Sequence, residues 1–223
     1  MPQIKGEGNR IVIWEKGVSR ELRSGERIAG FTEIVIDGND NTLELEMPLG
    51  GFENRLYIHG NGNLCQKKSS FKFMTNIICF VGSRGTLKIG KNTTMRSCCV
   101  ALGDMSHVEI GKECMFGECD IRGTDSHCVI DVVTKQAINV PKSGLCIGNR
   151  VWCGEKSRIL KNAFIADGCI VGACTVVSKK FTEPNCAIAG NPAKVIRTGV
   201  TWDRYDILLY EERGPFNYDE QER

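Results

Sequence analysis

The 223-residue chain lacks several features that mark common functional classes. It contains no run of about 20 apolar residues, so no segment is predicted to cross a membrane. Its 29 lysines and arginines against 27 acidic residues give a net charge of +2, far from the basic excess of most nucleic-acid-binding proteins. We therefore expect neither a transmembrane protein nor a nucleic-acid partner.

Twelve cysteines are present, but their spacing does not suggest disulfides or metal. The chain has no C-x-x-C pair, and no Cys/His spacing matches a zinc site, so no metal is predicted. Residues 1–10 are polar and form no signal segment, so we expect a cytoplasmic protein with reduced cysteines. We interpret Cys153, Cys169 and Cys174 as small core residues, because they fall in or beside an apolar repeat.

Aromatic residues make up only 7% of the chain, whereas glycines number 25, a composition that fits a narrow core with tight corners. A six-residue repeat runs through residues 147–177. Every sixth position is apolar: Ile147, Cys153, Ile159, Ile165, Val171 and Val177. The fourth residue after each of the first five is again apolar or small: Val151, Ser157, Ala163, Cys169 and Thr175. A period of six fits neither a helix nor an alternating strand. It predicts an all-β, three-sided solenoid in which each hexad supplies one short strand and one corner.

The solenoid is predicted to be interrupted by loops. Strand-like phrases end at isoleucines that stand 22, 31, 21 and 37 residues apart: Ile36, Ile58, Ile89, Ile110 and Ile147. One face of successive coils would produce such phrases, and a coil of three hexads has about 18 residues, so the excess should leave the coil. The largest excess of residues precedes Ile147 and predicts an extended loop near 123–144. Functional residues are expected in this loop.

These patterns divide the chain into three parts. Residues 1–84 are predicted to form an irregular β region, partly continuous with the solenoid, where the hexad pattern is poor. Residues 85–198 form the solenoid itself. Within the tail, residues 199–223, apolar side chains recur at helical spacing from Trp202 to Leu209, which predicts a short amphipathic helix that caps the solenoid.

His127 is the candidate general base. The other two histidines, His59 and His107, stand inside strand phrases and are expected to be solvated. His127 lies in the predicted loop with Asp125 and Asp131 beside it. An imidazole can take a proton from a hydroxyl at neutral pH, and a carboxylate on its other nitrogen would fix the tautomer. The sequence does not choose between the two aspartates.

Several segments together resemble the hexapeptide-repeat acyltransferases, in particular the O-acetyltransferases of capsules, sialic acid polymers and lipopolysaccharide O-antigens. They are the hexads of 147–177, the loop segment 124–131, the phrase 147–154 and the closing segment 190–196. The resemblance implies a left-handed parallel β-helix and an acetyl-CoA donor. It also implies a homotrimer with active sites in clefts between neighbouring subunits.

The resemblance assigns roles to individual residues. His127 matches the family's catalytic histidine, and Trp152 matches an aromatic residue near the thioester. The Trp152 indole N–H would donate to the oxyanion or to the departing thiolate. The alternative is that the ring only packs as part of the cleft wall. The pantetheine arm would run along Gly154, Glu155 and Ala173. The residues expected near the phosphates are Ser178, Lys179 and Lys194, with Lys180 and Arg197 as helpers.

The implied reaction is acetyl transfer to a sugar hydroxyl of a bacterial surface polysaccharide, without a covalent enzyme intermediate. One alternative is an N-acetyltransferase of an amino-sugar nucleotide on the same fold. Another is a non-catalytic solenoid scaffold. A zinc carbonic anhydrase is disfavoured, because it would need three converging imidazoles and a whole interrupted coil separates His107 from His127.

Overall fold

The computed structural model describes residues 1–23 and 25–218, so residues 219–223 of the predicted tail lie outside the described residues. The described chain consists almost entirely of short strands. The strands are β1 (Gln3–Lys5), β2 (Arg10–Glu15), β3 (Val18–Glu21), β4 (Phe31–Asp37), β5 (Thr42–Glu46), β6 (Asn54–His59), β7 (Leu64–Lys67), β8 (Phe73–Met74), β9 (Ile77–Val81), β10 (Thr86–Ile89), β11 (Thr94–Arg96), β12 (Cys99–Leu102), β13 (His107–Ile110), β14 (Met115–Phe116), β15 (Asp120–Arg122), β16 (Leu145–Ile147), β17 (Trp152–Cys153), β18 (Arg158–Leu160), β19 (Phe164–Ile165), β20 (Ile170–Val171), β21 (Val176–Val177), β22 (Lys180–Phe181), β23 (Cys186–Ala189) and β24 (Lys194–Thr198). One helix follows, α1 (Ile207–Arg213).

The strands form the three faces of a prism. The first sheet has the order β1-β4-β6-β9-β12-β15-β18-β21, the second β22-β19-β16-β13-β10-β7-β5-β2-β3, and the third β24-β23-β20-β17-β14-β11-β8. Neighbouring strands are parallel except for the terminal pairs β2–β3 and β23–β24. The predicted left-handed parallel β-helix is therefore confirmed.

The hexad repeat faces the axis of the prism, as predicted. All six apolar positions and all five positions four residues later are at most 2% exposed in residues 147–177. Cys153 and Cys169 are buried core residues, but the same interpretation was wrong for Cys174, which is exposed. Cys174 lies at a corner with φ 57°, and the turn of the chain there directs its side chain outward.

The N-terminal coils are longer than the hexad repeat allows. Ile36, Ile58, Phe80 and Leu102 pair in register on the first sheet at intervals of 22 residues. The strands of residues 1–84 thus continue the same sheets as those of 85–198. Because Ile89, Ile110 and Ile147 pair on the second sheet instead, the expectation that all five phrases share one face was wrong.

Stacked asparagines satisfy the buried main chain at the corners of these long coils. Asn76 Nδ2 donates to Asn54 Oδ1 at 2.9 Å and to the Met95 carbonyl at 3.2 Å. Its Oδ1 accepts from the Cys98 main-chain N–H at 2.9 Å. Asn41 and Asn63 form a second ladder of the same kind. These buried amides replace the small residues of the shorter coils.

Replacing Asn76 by alanine should destabilise the fold by about 3 kcal/mol, because each buried polar group left without a partner costs about 1–3 kcal/mol. Urea unfolding of the two proteins measures the difference. The matched control is Asn61→Ala, which removes an exposed amide that accepts one main-chain bond from Asn39 at 2.7 Å. That change should cost less than about 1 kcal/mol. Equal effects of the two substitutions would contradict the role of the ladder.

The extended loop near 123–144 is confirmed, since the chain leaves the prism after β15 and re-enters it at β16. The C-terminal helix is also confirmed but is shorter than predicted. Asp206 caps its first turn by accepting from Leu209 N–H at 3.0 Å, so Trp202 precedes the helix. Trp202 is buried while α1 has no buried residue, so the helix itself does not cap the prism. No helix in the described part of the chain has the length and apolar content needed to cross a membrane.

Candidate functional site

A groove of about 790 Å³ runs along the outer face of the third sheet. Strands β11, β14, β17 and β20, with residues from the corners beside them, form its floor. Phe71 and Lys72, just before β8, close its N-terminal end. Four residues predicted to bind the donor line it: Trp152, Gly154, Glu155 and Ala173. The structure therefore brings these four together on one face.

Trp152 points outward from β17 and is 38% exposed. Its ring lies 6.2 Å from the ring of Trp202 at an interplanar angle of 46°. The Trp202 indole donates to the Arg150 carbonyl at 2.6 Å, which fixes the wall behind Trp152. Within the described part of the chain, the Trp152 indole N–H has no hydrogen-bond partner, so it is available to a ligand.

The floor beside Trp152 is flat because it lacks side chains. A Cβ at Gly154 would lie 2.8 Å from the Ala173 main-chain nitrogen, closer than real Cβ contacts come. Glycine is therefore required where these two corners approach each other. An extended thioester arm can reach main-chain N–H and C=O groups along such a surface.

Glu155 extends along the groove to a residue that the sequence analysis missed. Its carboxylate pairs with the Arg96 guanidinium at 3.0 Å, and both side chains are more than half exposed. Between them lies Gly117, where a Cβ would come within 3.0 Å of Glu155 Cγ. Since 59 residues separate Arg96 from Glu155, no local sequence signal could have revealed this pair.

The C-terminal tail forms a second wall of the groove through Arg204, which the sequence analysis also missed. The Arg204 guanidinium donates to Thr94 Oγ1 and to the Cys114 carbonyl, both at 2.8 Å. It also lies 5.1 to 5.9 Å from four aromatic ring centres: Phe71, Trp202, Phe216 and Tyr218. Cation–π contacts and hydrogen bonds thus hold the tail on the third sheet.

His127 lies on the other side of the molecule. Its loop leaves the prism at the corner between the first and second sheets, and in a three-sided prism that corner is opposite the third sheet. The His127 side chain is exposed, and Asn139 Nδ2 donates to its main-chain oxygen at 2.8 Å. A single copy of the chain therefore does not bring His127 to Trp152.

The two aspartates bind other groups in the loop. Asp125 pairs with Lys161 and accepts from Asn139 Nδ2 at 2.8 Å, and the bond with Lys161 is the main reason that the pKa of Asp125 is lowered. Asp131 accepts from the main-chain N–H groups of Thr134 and Val133, which lower its pKa. In residues 1–23 and 25–218, no hydrogen bond joins either carboxylate to the His127 ring.

The remaining predicted residues also divide between the two sides. Ser178 and Lys179 lie between β21 and β22, at the same edge as the loop, and Lys180 opens β22. Lys194 and Arg197 lie on β24, at the edge of the third sheet. The sequence thus predicted two groups of residues that one chain holds on opposite sides.

The loop exposes an unusual number of aliphatic side chains. Six of them are 48% to 85% exposed: Val129, Ile130, Val132, Val133, Ile138 and Val140. Soluble monomers seldom expose a large contiguous apolar patch, and such patches mark interaction sites. The loop is therefore expected to contact another surface.

No family model matches the chain, but individual proteins do. A polysialic acid O-acetyltransferase of Neisseria meningitidis is 30% identical over 202 residues, which cover 89% of this chain and 93% of that protein. A second one, of Escherichia coli O1:K1 / APEC, is 31% identical over 136 residues, 60% of this chain and 43% of that longer relative. The crystal structure of the polySia specific acetyltransferase NeuO superimposes with a TM-score of 0.74 at 24% identity, over 93% of this chain and 90% of that one. The last comparison shows that the fold is shared.

Proposed function

The chain belongs to the polysialic acid O-acetyltransferase family of the hexapeptide-repeat acyltransferases and is an acyltransferase, and we propose that it moves an acetyl group from acetyl-CoA to a sugar hydroxyl of a bacterial surface polysaccharide. One observation carries the proposal. The groove with Trp152 and the loop with His127 lie on opposite sides of one prism. One copy therefore cannot hold both groups in a single site, and in this proposal two copies of the chain complete each site.

The complete site forms in a homotrimer. A contact between two different faces, repeated by a rotation that closes, gives a ring, and a three-sided prism is suited to a ring of three. In this arrangement the loop of one copy packs against the third sheet of the next. The exposed aliphatic side chains of the loop support such a contact, because they would be buried in it.

The chemistry is a direct transfer. His127 takes the proton of the sugar hydroxyl, and the oxygen attacks the thioester carbonyl. The tetrahedral oxyanion, stabilised by the Trp152 indole N–H, then breaks the carbon–sulfur bond. The imidazolium returns its proton to the departing thiolate, so the products are an O-acetyl sugar and free CoA. In this proposal Asp125, held by Lys161, and Asp131 fix the backbone of the loop rather than the ring.

The donor would use both sides of the site. The pantetheine arm lies along the main chain of Gly154 and Ala173 in the groove of one copy. Five residues, drawn from the two copies, lie near the phosphates: Ser178, Lys179, Lys180, Lys194 and Arg197. The cationic ones would neutralise phosphate charge, which stabilises the bound anion. A cytoplasmic location, where acetyl-CoA is supplied, stays a prediction.

The test is an acetylation assay with purified protein. Acetyl-CoA is offered with polysialic acid or with an amino-sugar nucleotide, and mass spectrometry locates the acetyl group. Acetylation of a hydroxyl on the polymer is the expected result. Acetylation of the amine would show the N-acetyltransferase alternative. A wild-type protein whose melting temperature does not rise with acetyl-CoA would indicate a scaffold without a donor site.

A further inference from the structure

We propose that Lys72 and Arg96 form a subsite that binds a negatively charged group of the acceptor saccharide, at the N-terminal end of the groove. This inference rests on the proposed function. It assigns acceptor recognition to two residues of the long N-terminal coils.

The two cations lie side by side on the outer face of the third sheet. Lys72 directly precedes β8, and Arg96 ends β11 on the next coil, where it pairs with Met74. With about 4.8 Å between strands and about 3.3 Å per residue along them, the two Cα atoms are about 8 Å apart. Both residues line the groove, so both side chains can reach one carboxylate or two neighbouring ones.

The charges along the groove favour an anion at this end. Among the described residues that line it, Lys72, Arg96 and Arg204 are cationic and Glu155 alone is acidic. The Arg204 guanidinium already donates hydrogen bonds to the third sheet. Glu155 binds one nitrogen of Arg96, which leaves other N–H groups of that guanidinium for a ligand. Lys72 is exposed and forms no ion pair with any described residue.

The order of residues along the groove separates this subsite from the donor. Lys72 and Arg96 lie on the coils before Trp152, whereas Ala173 and the predicted phosphate ligand Lys194 lie on coils after it. A thioester at Trp152 with its arm along Ala173 has its phosphates at the C-terminal end. Its acetyl group therefore faces Lys72 and Arg96, where the acceptor must enter.

The aromatic walls at this end of the groove strengthen the attraction between the two cations and an acidic group. Phe71 and Phe216 stack with ring centres 6.0 Å apart, and both line the groove beside Lys72. Apolar walls exclude water and raise the strength of a charge-assisted hydrogen bond between a guanidinium and a carboxylate. The same aromatic surfaces can pack against a sugar ring.

Steady-state kinetics of Lys72→Gln and Arg96→Gln test the subsite, with polysialic acid and its carboxyl-reduced form as acceptors. Each substitution should raise KM for polysialic acid at least about tenfold, which corresponds to about 1.4 kcal/mol. KM for acetyl-CoA should change less than about twofold. The variant Arg96→Lys should keep part of the affinity, because it retains a cation beside Glu155. Lys88→Gln is the matched control, because it removes an exposed cation from the second sheet.

Three results would overturn the subsite. A higher KM for acetyl-CoA would show that the cations bind donor phosphates. An equal loss with the carboxyl-reduced polymer would show that no acidic group is recognised. If wild type transfers no acetyl group at all, the proposed function fails separately, and calorimetric titration with polysialic acid still decides the subsite. In that titration, equal affinity of wild type and Lys72→Gln/Arg96→Gln would contradict it.

Discussion

Replacing His127 by alanine is expected to lower kcat for acetyl transfer at least about 100-fold, the usual contribution of a general base. The hydroxyl of the acceptor is a poor nucleophile until its proton is removed. Steady-state rates with saturating acetyl-CoA and acceptor measure the effect. The melting temperature should not change, because the side chain is exposed and its ring makes no hydrogen bond with any described residue.

The matched control is His59→Ala, which removes another exposed histidine, on β6 of the first sheet. It should leave both the rate and the melting temperature unchanged. If His127→Ala kept more than about a tenth of the wild-type turnover, the general-base role would be untenable. An equal loss in both variants would point to a general effect of the substitution.

Replacing Lys67 by methionine is expected to stabilise the protein, with a gain that depends on pH. Lys67 points into the prism from β7 and is 1% exposed. Burial lowers its pKa from 10.5 to about 7, an effect only partly offset by Glu46 and Cys65. The ammonium donates to the Lys68 carbonyl and lies 5.1 Å from the Phe73 ring centre. Methionine fills a similar volume without a charge to desolvate.

The direction of the pH effect follows from the lowered pKa. Between pH 7 and pH 10.5 the unfolded chain carries the Lys67 proton and the folded chain largely does not. This residue's contribution to wild-type stability therefore rises with pH. The advantage of Lys67→Met should shrink by about 2–3 kcal/mol between pH 6 and pH 9.

Urea unfolding of variant and wild type at the two pH values measures this change. The buried cysteines contribute to the pH dependence of unfolding in both proteins, so their contribution cancels in the difference. Lys88→Met, on an exposed position of the same sheet, should show a pH-independent difference from wild type. A stability difference between Lys67→Met and wild type that stays constant from pH 6 to pH 9 would show that Lys67 keeps an ordinary pKa.

The sequence was sufficient for the regular part of the fold. Each aliphatic position of the hexads and each small position before a strand faces the axis, so the period itself predicted the prism and its buried positions. The loop could be located because it breaks that period. The poor pattern before residue 85 reflects 22-residue coils, in which Asn54 and Asn76 take the place of small residues.

Contacts between distant segments were not predictable from the sequence. Parallel stacking of coils brings Arg96 to Glu155, 59 positions away. The tail folds back onto the third sheet and brings Arg204 to Thr94, 110 positions away, and neither arginine carries a local signal. Asp125 was found as a loop residue, but its partners Asn139 and Lys161 depend on how the loop folds back on the next coil. A pattern of residue types could not show that the two groups of site residues lie on opposite sides.

The most direct test of the account is complementation between two inactive variants. His127→Ala and Trp152→Ala, carrying different affinity tags, are co-expressed and the mixed oligomer is isolated and assayed. If each site combines His127 of one copy with Trp152 of the next, one site in every mixed trimer is intact, and about a third of wild-type activity should return. Activity no higher than that of the two variants alone would show that the site does not lie between subunits.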